Sequence, residues 1–383
     1  MSFTCGSGKG RVCRDYVFAD STDCHAEEFE TLRSDRFQRR SKKAAGRLST
    51  EDVVLGCGRG NETGCAPVDP VMLDSIDSKN TKLFYNLEAY PYAFETDRDL
   101  VNWVCAVAEE SPTARALFSL ASKEGWSIGI ENLSQSGYAL DEDARRLTLD
   151  HYGFAAHALG RSAHYRHAVL LSFIKALRHI WHIHIRPDVY ETHRPDSILL
   201  LERAMAADIQ TIAILAGWEL RAAGYAEIWR YILGSDEGDM AMIFTRAMEK
   251  DPAGFYDGSV LTRTFCQWYG DETRVAETDH ATLETMDDLL DDNAEGMIFG
   301  KAPVSDEDIE ALSALPASMT YLKGMGRNIL SDPYFVSMND PINEAHLFQV
   351  AYDSRVVMVE GVPFRDHKLA RLIFPGGKVK VRD

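Results

Sequence analysis

Two long stretches with helical periodicity follow each other in the middle of the chain, and they constrain its fold more than any other feature. In residues 162–185 apolar side chains recur every three or four positions, and Arg186 with Pro187 ends the pattern. The second stretch spans residues 195–223 and stops at Gly224, a residue type that commonly follows a helix. These stretches predict two long helices. A stripe of mostly small and apolar residues on the second helix allows close packing: Glu202, Ala206, Ile209, Ala213, Ala216 and Leu220.

The rest of the chain predicts a mainly helical α+β fold. Two β-rich runs, 126–132 and 144–151, flank a predicted turn at 135–143 and indicate a short hairpin or small sheet. Residues 97–124 read as helix with a break at Ser111-Pro112 and a stop at Gly125. Further helices are predicted at 225–233, 238–250, 259–268, 279–292 and 305–315, and short strands at 355–361 and 378–382.

Composition divides the chain into three predicted regions. Residues 1–96 form a flexible or loosely ordered arm, because their first part is rich in Gly, Ser, Asp, Arg and Lys and shows no sustained period. Residues 97–292 form the main domain, and residues 293–383 form a C-terminal extension with short helices and strands. The GSGKG string at 6–10 lacks the spacing of a phosphate loop, so we predict no nucleotide site there.

Charge and cysteine usage limit the partners and the compartment. The formal net charge of −18 argues against generic binding to nucleic acid or to anionic membranes. No run of 18 apolar residues predicts a membrane span, and the N-terminus does not resemble a secretory signal. Five of the 7 cysteines lie in the first 65 residues without a C-x-x-C pair, which indicates scattered thiols and a reduced cytoplasmic location. Cys105 and Cys266 lie in apolar helical contexts and are predicted to be buried thiols.

Eight of the 12 histidines lie between His151 and His193. A polar stripe of this kind on an amphipathic helix is usually a solvated face or a set of packing contacts. Histidine is also the most common metal ligand, and a zincin helix carries H-E-x-x-H, whose histidines bind zinc while the Glu acts as general base. Residues 175–179 read K-A-L-R-H, so Lys175 and Ala176 stand where the first His and the Glu would be.

Three strings give the chain a family resemblance: LRHIWH at 177–182, LERAMAAD at 201–208 and GWELRAAG at 217–224. With GWSI at 125–128 and FCQWYGDETRV at 265–275, the chain resembles an uncharacterised bacterial family of putative zinc metallopeptidases. That zincin-like family pairs an H-E-L-R-H helix with a following E-R-x-x-x-A-D helix. The resemblance covers about residues 97–292 and implies a zincin-like core with two long antiparallel helices.

The resemblance implies a metal site that is incomplete here. His179 matches the second zinc-binding His, and Glu202 is the candidate for the third ligand. Asp208, on the same helix, and His182 are weaker metal candidates, and Ala206 occupies another position considered for a ligand. Because the first His and the general base have no counterpart, no catalytic residue is assigned and no cofactor is predicted. Zinc is the metal that the resemblance implies for such a site.

A non-hydrolytic protein that binds or regulates is therefore the leading functional prediction, with a peptide or protein as the expected partner class. We also predict that Lys175 and His179 contact Glu202, since a partly buried carboxylate requires a cationic partner. Two alternatives stay open. One is an active metal-dependent hydrolase with a rearranged site, built from His179 and His182 or from His164 and His167, with Glu202 or His184. The other is an acidic intracellular interaction protein.

The acidic pairs Asp287-Asp288 and Asp291-Asp292 are predicted to be solvated charges at the end of a helix.

Overall fold

The computed structural model describes residues 94–186, 188–292, 299–316 and 319–354, and short segments at 71–72, 357–359, 362–364, 372–373 and 379–380. Most of the predicted N-terminal arm, including five cysteines and the GSGKG string, lies outside the described residues. The described helices are α1 (Asp97–Ala108), α2 (Pro112–Lys123), α3 (Ala156–Arg161), α4 (Ala163–Ile185), α5 (Val189–Thr192), α6 (Pro195–Ala222), α7 (Ala226–Gly234), α8 (Gly238–Lys250), α9 (Gly254–Asp257), α10 (Ser259–Trp268), α11 (Glu272–Asp292), α12 (Asp306–Leu312), α13 (Gly326–Ser331), α14 (Pro333–Val336) and α15 (Pro341–Asp353).

The prediction of a mainly helical α+β fold is confirmed. Helix α6 is the central helix: most of its residues are buried, and it packs against α4, α7, α10 and α11 among others. Because only residues 186–194 separate α4 from α6 and the two helices pack together, they run in opposite directions. Among the described residues, no helix is long and apolar enough to cross a membrane.

Helix boundaries follow local capping chemistry. The predicted break between α1 and α2 is present, with the Ser111 hydroxyl accepting the Ala114 amide at 3.0 Å and Pro112 as the first helical residue. Gly125 has φ +78° and Gly224 has φ +105°, a left-handed conformation that glycine adopts without strain. Helix α11 begins at Glu272, seven positions before the predicted start, because the Asp271 carboxylate accepts amides of its first turn.

The strands form two small sheets: β1 (Val71–Met72), β2 (Ser127–Glu131), β3 (Tyr138–Asp141) and β4 (Arg146–Asp150) in order β1-β2-β4-β3, and β5 (Val357–Val359), β6 (Val362–Phe364) and β7 (Val379–Lys380) in order β6-β5-β7. The predicted strand pair is present, but β2 and β4 are parallel. The turn predicted at 135–143 is wrong in part, since it contains β3, which pairs antiparallel with β4. In β3 the half-buried residues Tyr138 and Leu140 alternate with exposed residues, as in a strand. The strand is too short for this alternation to be recognised in the sequence.

The two cysteines predicted to be buried, Cys105 and Cys266, are buried in the structure. The acidic end of α11 is only partly the solvated charge that we predicted. Asp288 is exposed, whereas Asp287 accepts a hydrogen bond from His346 of α15 at 2.6 Å. The side chains of Asp291 and Asp292 lie outside the described residues.

Candidate functional site

The two replaced positions of the family motif lie in the middle of α4. Ala176 is completely buried, whereas the Lys175 side chain keeps 20% of its surface exposed. The Lys175 ammonium forms an ion pair with Glu237, which lies in the connection between α7 and α8. The predicted ion pair between Lys175 and Glu202 is therefore not formed. The prediction considered only the two long helices, but the lysine reaches a third element that packs beside them.

Glu237 is held on both of its carboxylate oxygens. Lys175 binds one oxygen, and the Ser235 hydroxyl lies 2.5 Å from the other. Burial by itself raises the pKa of Glu237, but the Lys175 ammonium and these hydrogen bonds outweigh it and lower the pKa to about 2. The Glu237 carboxylate is therefore charged at neutral pH, and its negative charge balances the ammonium of Lys175.

His179 lies one turn beyond Lys175 on α4 and is half-buried. Its Nδ1 atom lies 3.3 Å from the Tyr138 hydroxyl on β3, a hydrogen bond whose donor depends on the imidazole tautomer. The two rings meet edge to face. Burial, with a smaller effect from His182, lowers the pKa of His179 to about 4, so the imidazole is neutral at neutral pH.

Tyr138 reaches His179 because the loop before β3 is anchored by a buried carboxylate. Asp150 accepts the backbone amides of Leu133 and Gln135 at 3.2 and 2.7 Å. Burial raises the pKa of Tyr138, and the nearby Glu202 raises it further. The Tyr138 hydroxyl is therefore a protonated group with His179 on one side and Glu202 close by.

Glu202 of α6 is partly buried, as predicted from its place in the apolar stripe. Burial, which has the largest effect, and the charge of Glu142 raise the pKa of Glu202, whereas the nearby Tyr190 hydroxyl lowers it, and the resulting pKa is about 7. Tyr190 belongs to the short helix α5 between the two long helices. Among the described residues, no Lys, Arg or His lies within ion-pair distance of this carboxylate. The structure thus places His179 and Glu202 around Tyr138, with Tyr190 beside the carboxylate.

Asp208 and His182, the weaker metal candidates, belong to a different cluster. Asp208 is fully buried and accepts two hydrogen bonds from Arg178, at 2.5 and 3.0 Å. His182 Nε2 lies 2.8 Å from the same carboxylate, and the Tyr321 hydroxyl donates to it at 2.7 Å. Burial raises the pKa of Asp208, but the Arg178 charge and the His182 hydrogen bond lower it to about 2. These contacts favour a structural role for Asp208 and His182.

The Arg178–Asp208 ion pair gives a structural role to one residue in each of the two helix strings. Arg178 stands in the first helix string and Asp208 in the second, so their ion pair fixes how α4 lies against α6. Arg178 also donates to the backbone carbonyls of Leu312 and Ala314 at 2.8 and 2.9 Å. This ties the two helices to the chain that follows α12.

Other residues of the strings are also structural. Arg203 donates to both oxygens of Asp279 at 2.5 and 2.7 Å, and to the Phe335 carbonyl at 3.0 Å. Glu219 accepts the Thr113 amide at 3.0 Å at the start of α2. Of the three acidic residues in the strings of α6, Asp208 and Glu219 are bound elsewhere, and Glu202 is the one near the candidate site.

The remaining histidines do not converge on a second site. His164 and His167 both contact the ring of Tyr231, at centroid distances of 5.2 and 5.8 Å, and His184 pairs with Glu124. In the part of the chain that the structure describes, no group of three or more His, Cys, Asp or Glu side chains could hold a metal ion. The rearranged histidine site gains no support from these positions.

The donor set around position 175 does not fit the zinc site that the resemblance implies. A tetrahedral zinc site takes three or four nitrogen, sulfur or carboxylate ligands, and a protonated lysine has no lone pair to offer. The neutral His179 and Glu202 are suitable donors, but they are only two. With alanine at position 176, that position has no carboxylate to take a proton from water.

Sequence reasoning missed Tyr138, Tyr190, Glu237 and Tyr321. Tyr138 fell in a predicted turn, and the strand alternation around it was the only local signal. Tyr190 and Glu237 lie in short connections, and Tyr321 lies in a loop far along the chain, so nothing local ties them to α4 or α6. Their roles depend on contacts between distant segments.

Comparison with known proteins identifies one family. Residues 96–322 match the model of the "Putative metallopeptidase family (DUF6782)", which is more than half of the chain. The match extends through the loop that carries Tyr321, the residue that donates to Asp208. Neither the curated proteins nor the solved structures give a match.

Proposed function

We propose that this chain, which belongs to that putative metallopeptidase family, is a non-hydrolytic protein that binds or regulates a peptide or protein partner. In this proposal the chain keeps the fold of the family but does not hydrolyse peptides. It rests on named residues at the motif positions and on the partners that those residues have.

One observation carries the proposal: the Lys175–Glu237 ion pair beside the buried Ala176. The family mechanism requires an imidazole at the first position and a carboxylate at the second. Here the first position holds a charged amine that is already neutralised by Glu237, and the second holds a methyl group. The replacements supply neither a metal ligand nor a general base.

What remains of the site supports binding. His179, Tyr138, Glu202 and Tyr190 are only partly buried, and they offer hydrogen-bonding groups and aromatic surface in one place. Such a mixture of apolar and polar side chains is typical of sites that bind peptides or small molecules. We propose a peptide or protein segment as the occupant, since the scaffold belongs to a metallopeptidase family.

A reduced cytoplasmic location is part of the proposal. It is supported by the cysteine pattern of the sequence, in which five of the 7 cysteines lie in the first 65 residues without a C-x-x-C pair. Of the two alternatives from the sequence, the rearranged hydrolase has little support, because His182 is committed to Asp208. The acidic interaction protein has the net charge of −18 in its favour and no specific contact.

Metal content and peptide cleavage together test the proposal. The purified chain, dialysed against zinc, is expected to hold less than one zinc per molecule and to leave a fluorogenic peptide library intact. The K175H/A176E variant is expected to hold one zinc per chain, because it restores both motif residues. The E307Q variant, which changes an exposed carboxylate far along the chain, serves as the matched control.

The decisive contrary result is cleavage by the unmodified chain. If a chelator stops that cleavage, and if H179A and E202A abolish it while E307Q does not, the chain is a hydrolase. The rearranged site would then be the correct interpretation.

A further inference from the structure

Both positions of α4 that the resemblance assigns to zinc ligands have an internal partner in this chain. The pairs are Lys175–Glu237 and His179–Tyr138. The partners come from two different elements: Glu237 from the connection between α7 and α8, and Tyr138 from β3. The two pairs therefore join α4 to two neighbouring parts of the fold.

The pair with Glu237 is the more firmly built of the two. Glu237 keeps only 8% of its surface exposed, and the Ser235 hydroxyl lies 2.5 Å from the oxygen that Lys175 does not bind. The Glu237 amide donates back to the Ser235 hydroxyl at 3.3 Å. A carboxylate this deeply buried is costly without a cationic partner. The lysine at position 175 and the glutamate at position 237 therefore depend on each other.

A metal ion would link some of the same elements. Zinc bound by residues of α4 and α6 would hold these helices together through coordination bonds, and metal binding of that kind contributes to folding stability. Here the links are the Lys175–Glu237 ion pair and the hydrogen bond between Tyr138 and His179, neither of which involves a metal.

We infer that Glu237 and Tyr138 are positioning residues that replace the metal as the link at this site and make its stability independent of zinc. This inference rests on the proposed function, because it assumes that zinc does not occupy the site. It gives Glu237 a role at the site beside the replacements at positions 175 and 176.

A thermal unfolding series with and without zinc and chelator tests this inference. The midpoint of the unmodified chain is expected to stay the same in zinc and in chelator. In the K175H variant, Glu237 loses its ammonium partner and an imidazole joins His179 and Glu202. Its midpoint is expected to fall by roughly 5 °C in chelator and to recover in part when zinc is added. The K301H variant makes the same change at an exposed lysine and should respond to neither.

A double-mutant cycle on the ion pair gives a second measurement that does not depend on zinc. The variants are K175M, E237Q and K175M/E237Q, each unfolded with urea. Each single change is expected to lower the folded-to-unfolded ratio, and the double variant is expected to be about tenfold more stable than the sum of the two effects predicts. This cycle decides the matter if K175H does not fold.

Two outcomes overturn the inference. One is additivity of K175M and E237Q, which would mean that the two side chains do not depend on each other. The other is a lowered midpoint of the unmodified chain in chelator, which would mean that a metal still links the site. Neither outcome requires peptide cleavage, whereas chelator-sensitive cleavage would refute the proposed function and leave the urea cycle unaffected.

Discussion

Replacing Asp208 by asparagine is predicted to destabilise the fold more than most surface changes, and the size of the effect follows from the structure. The side chains of Asp208 and Arg178 are both fully buried and make two hydrogen bonds with each other. The D208N variant leaves the guanidinium without a counter-charge. Breaking a buried pair in this way costs about 3–5 kcal/mol. The Leu312 and Ala314 carbonyls still accept from Arg178, so we expect the lower half of that range.

The pKa of Asp208 gives a second magnitude, which follows from the same contacts. The pKa of Asp208 falls from 3.8 to about 2 in the folded protein, and each unit corresponds to about 1.4 kcal/mol. The ionised carboxylate therefore contributes roughly 2 kcal/mol relative to its protonated form. Because the folded pKa is the lower one, this stabilisation is complete above about pH 4 and is lost as the pH falls towards 2.

Urea unfolding followed by circular dichroism measures both effects. We expect the stability difference between the unmodified chain and D208N to be constant from pH 5 to 7 and to shrink as the pH falls below 4. The D288N variant changes an exposed aspartate and should shift stability by less than about 0.5 kcal/mol. A D208N effect below about 1 kcal/mol, or one that does not change with pH, would refute the assignment of Asp208 to the buried network.

Three further predictions concern other residues of the site and the family strings. The R203K variant should lower the free energy of unfolding by about 2–4 kcal/mol, because lysine cannot bind both oxygens of Asp279. An unchanged urea midpoint would contradict this prediction. The E219Q variant should lower the free energy of unfolding by about 1 kcal/mol, because it removes the negative charge at the start of α2, and S111A should lower it by a similar amount. Unchanged stability of both variants would show that these residues do not cap α2. By NMR titration His179 should protonate near pH 4, so stability decreases as the pH falls from about 6.5 towards 4; a midpoint near 6.5 would show a solvated imidazole.

The long helices were predictable because their signals are local. Apolar periodicity gave α4 and α6, and Ser111, Pro112 and Gly224 marked boundaries that the structure confirms. The start of α11 was missed, since its first turn is polar and the Asp271 cap was its only signal. The domain limits at residues 97 and 293 stay predictions. The family match runs past the second limit, to residue 322.

The candidate site was only half predictable. The string at 175–179 identified Lys175 and Ala176 as replacements, because residue types at a fixed helical spacing can be compared without knowing the fold. His179 and Glu202 were chosen on the same basis, and the structure places both beside Tyr138. Their roles as ligands stay a prediction.

The sequence by itself determined which side chains stand on the faces of the two long helices, since a helix repeats every 3.6 residues whatever surrounds it. Only the tertiary structure decided which partner each of them meets. Lys175 pairs with Glu237 across 62 positions, and Tyr321 reaches Asp208 across 113. Such contacts depend on how helices, strands and connections pack. A buried charge pairs with whichever side chain the packing places beside it, and local sequence patterns do not predict which side chain that is.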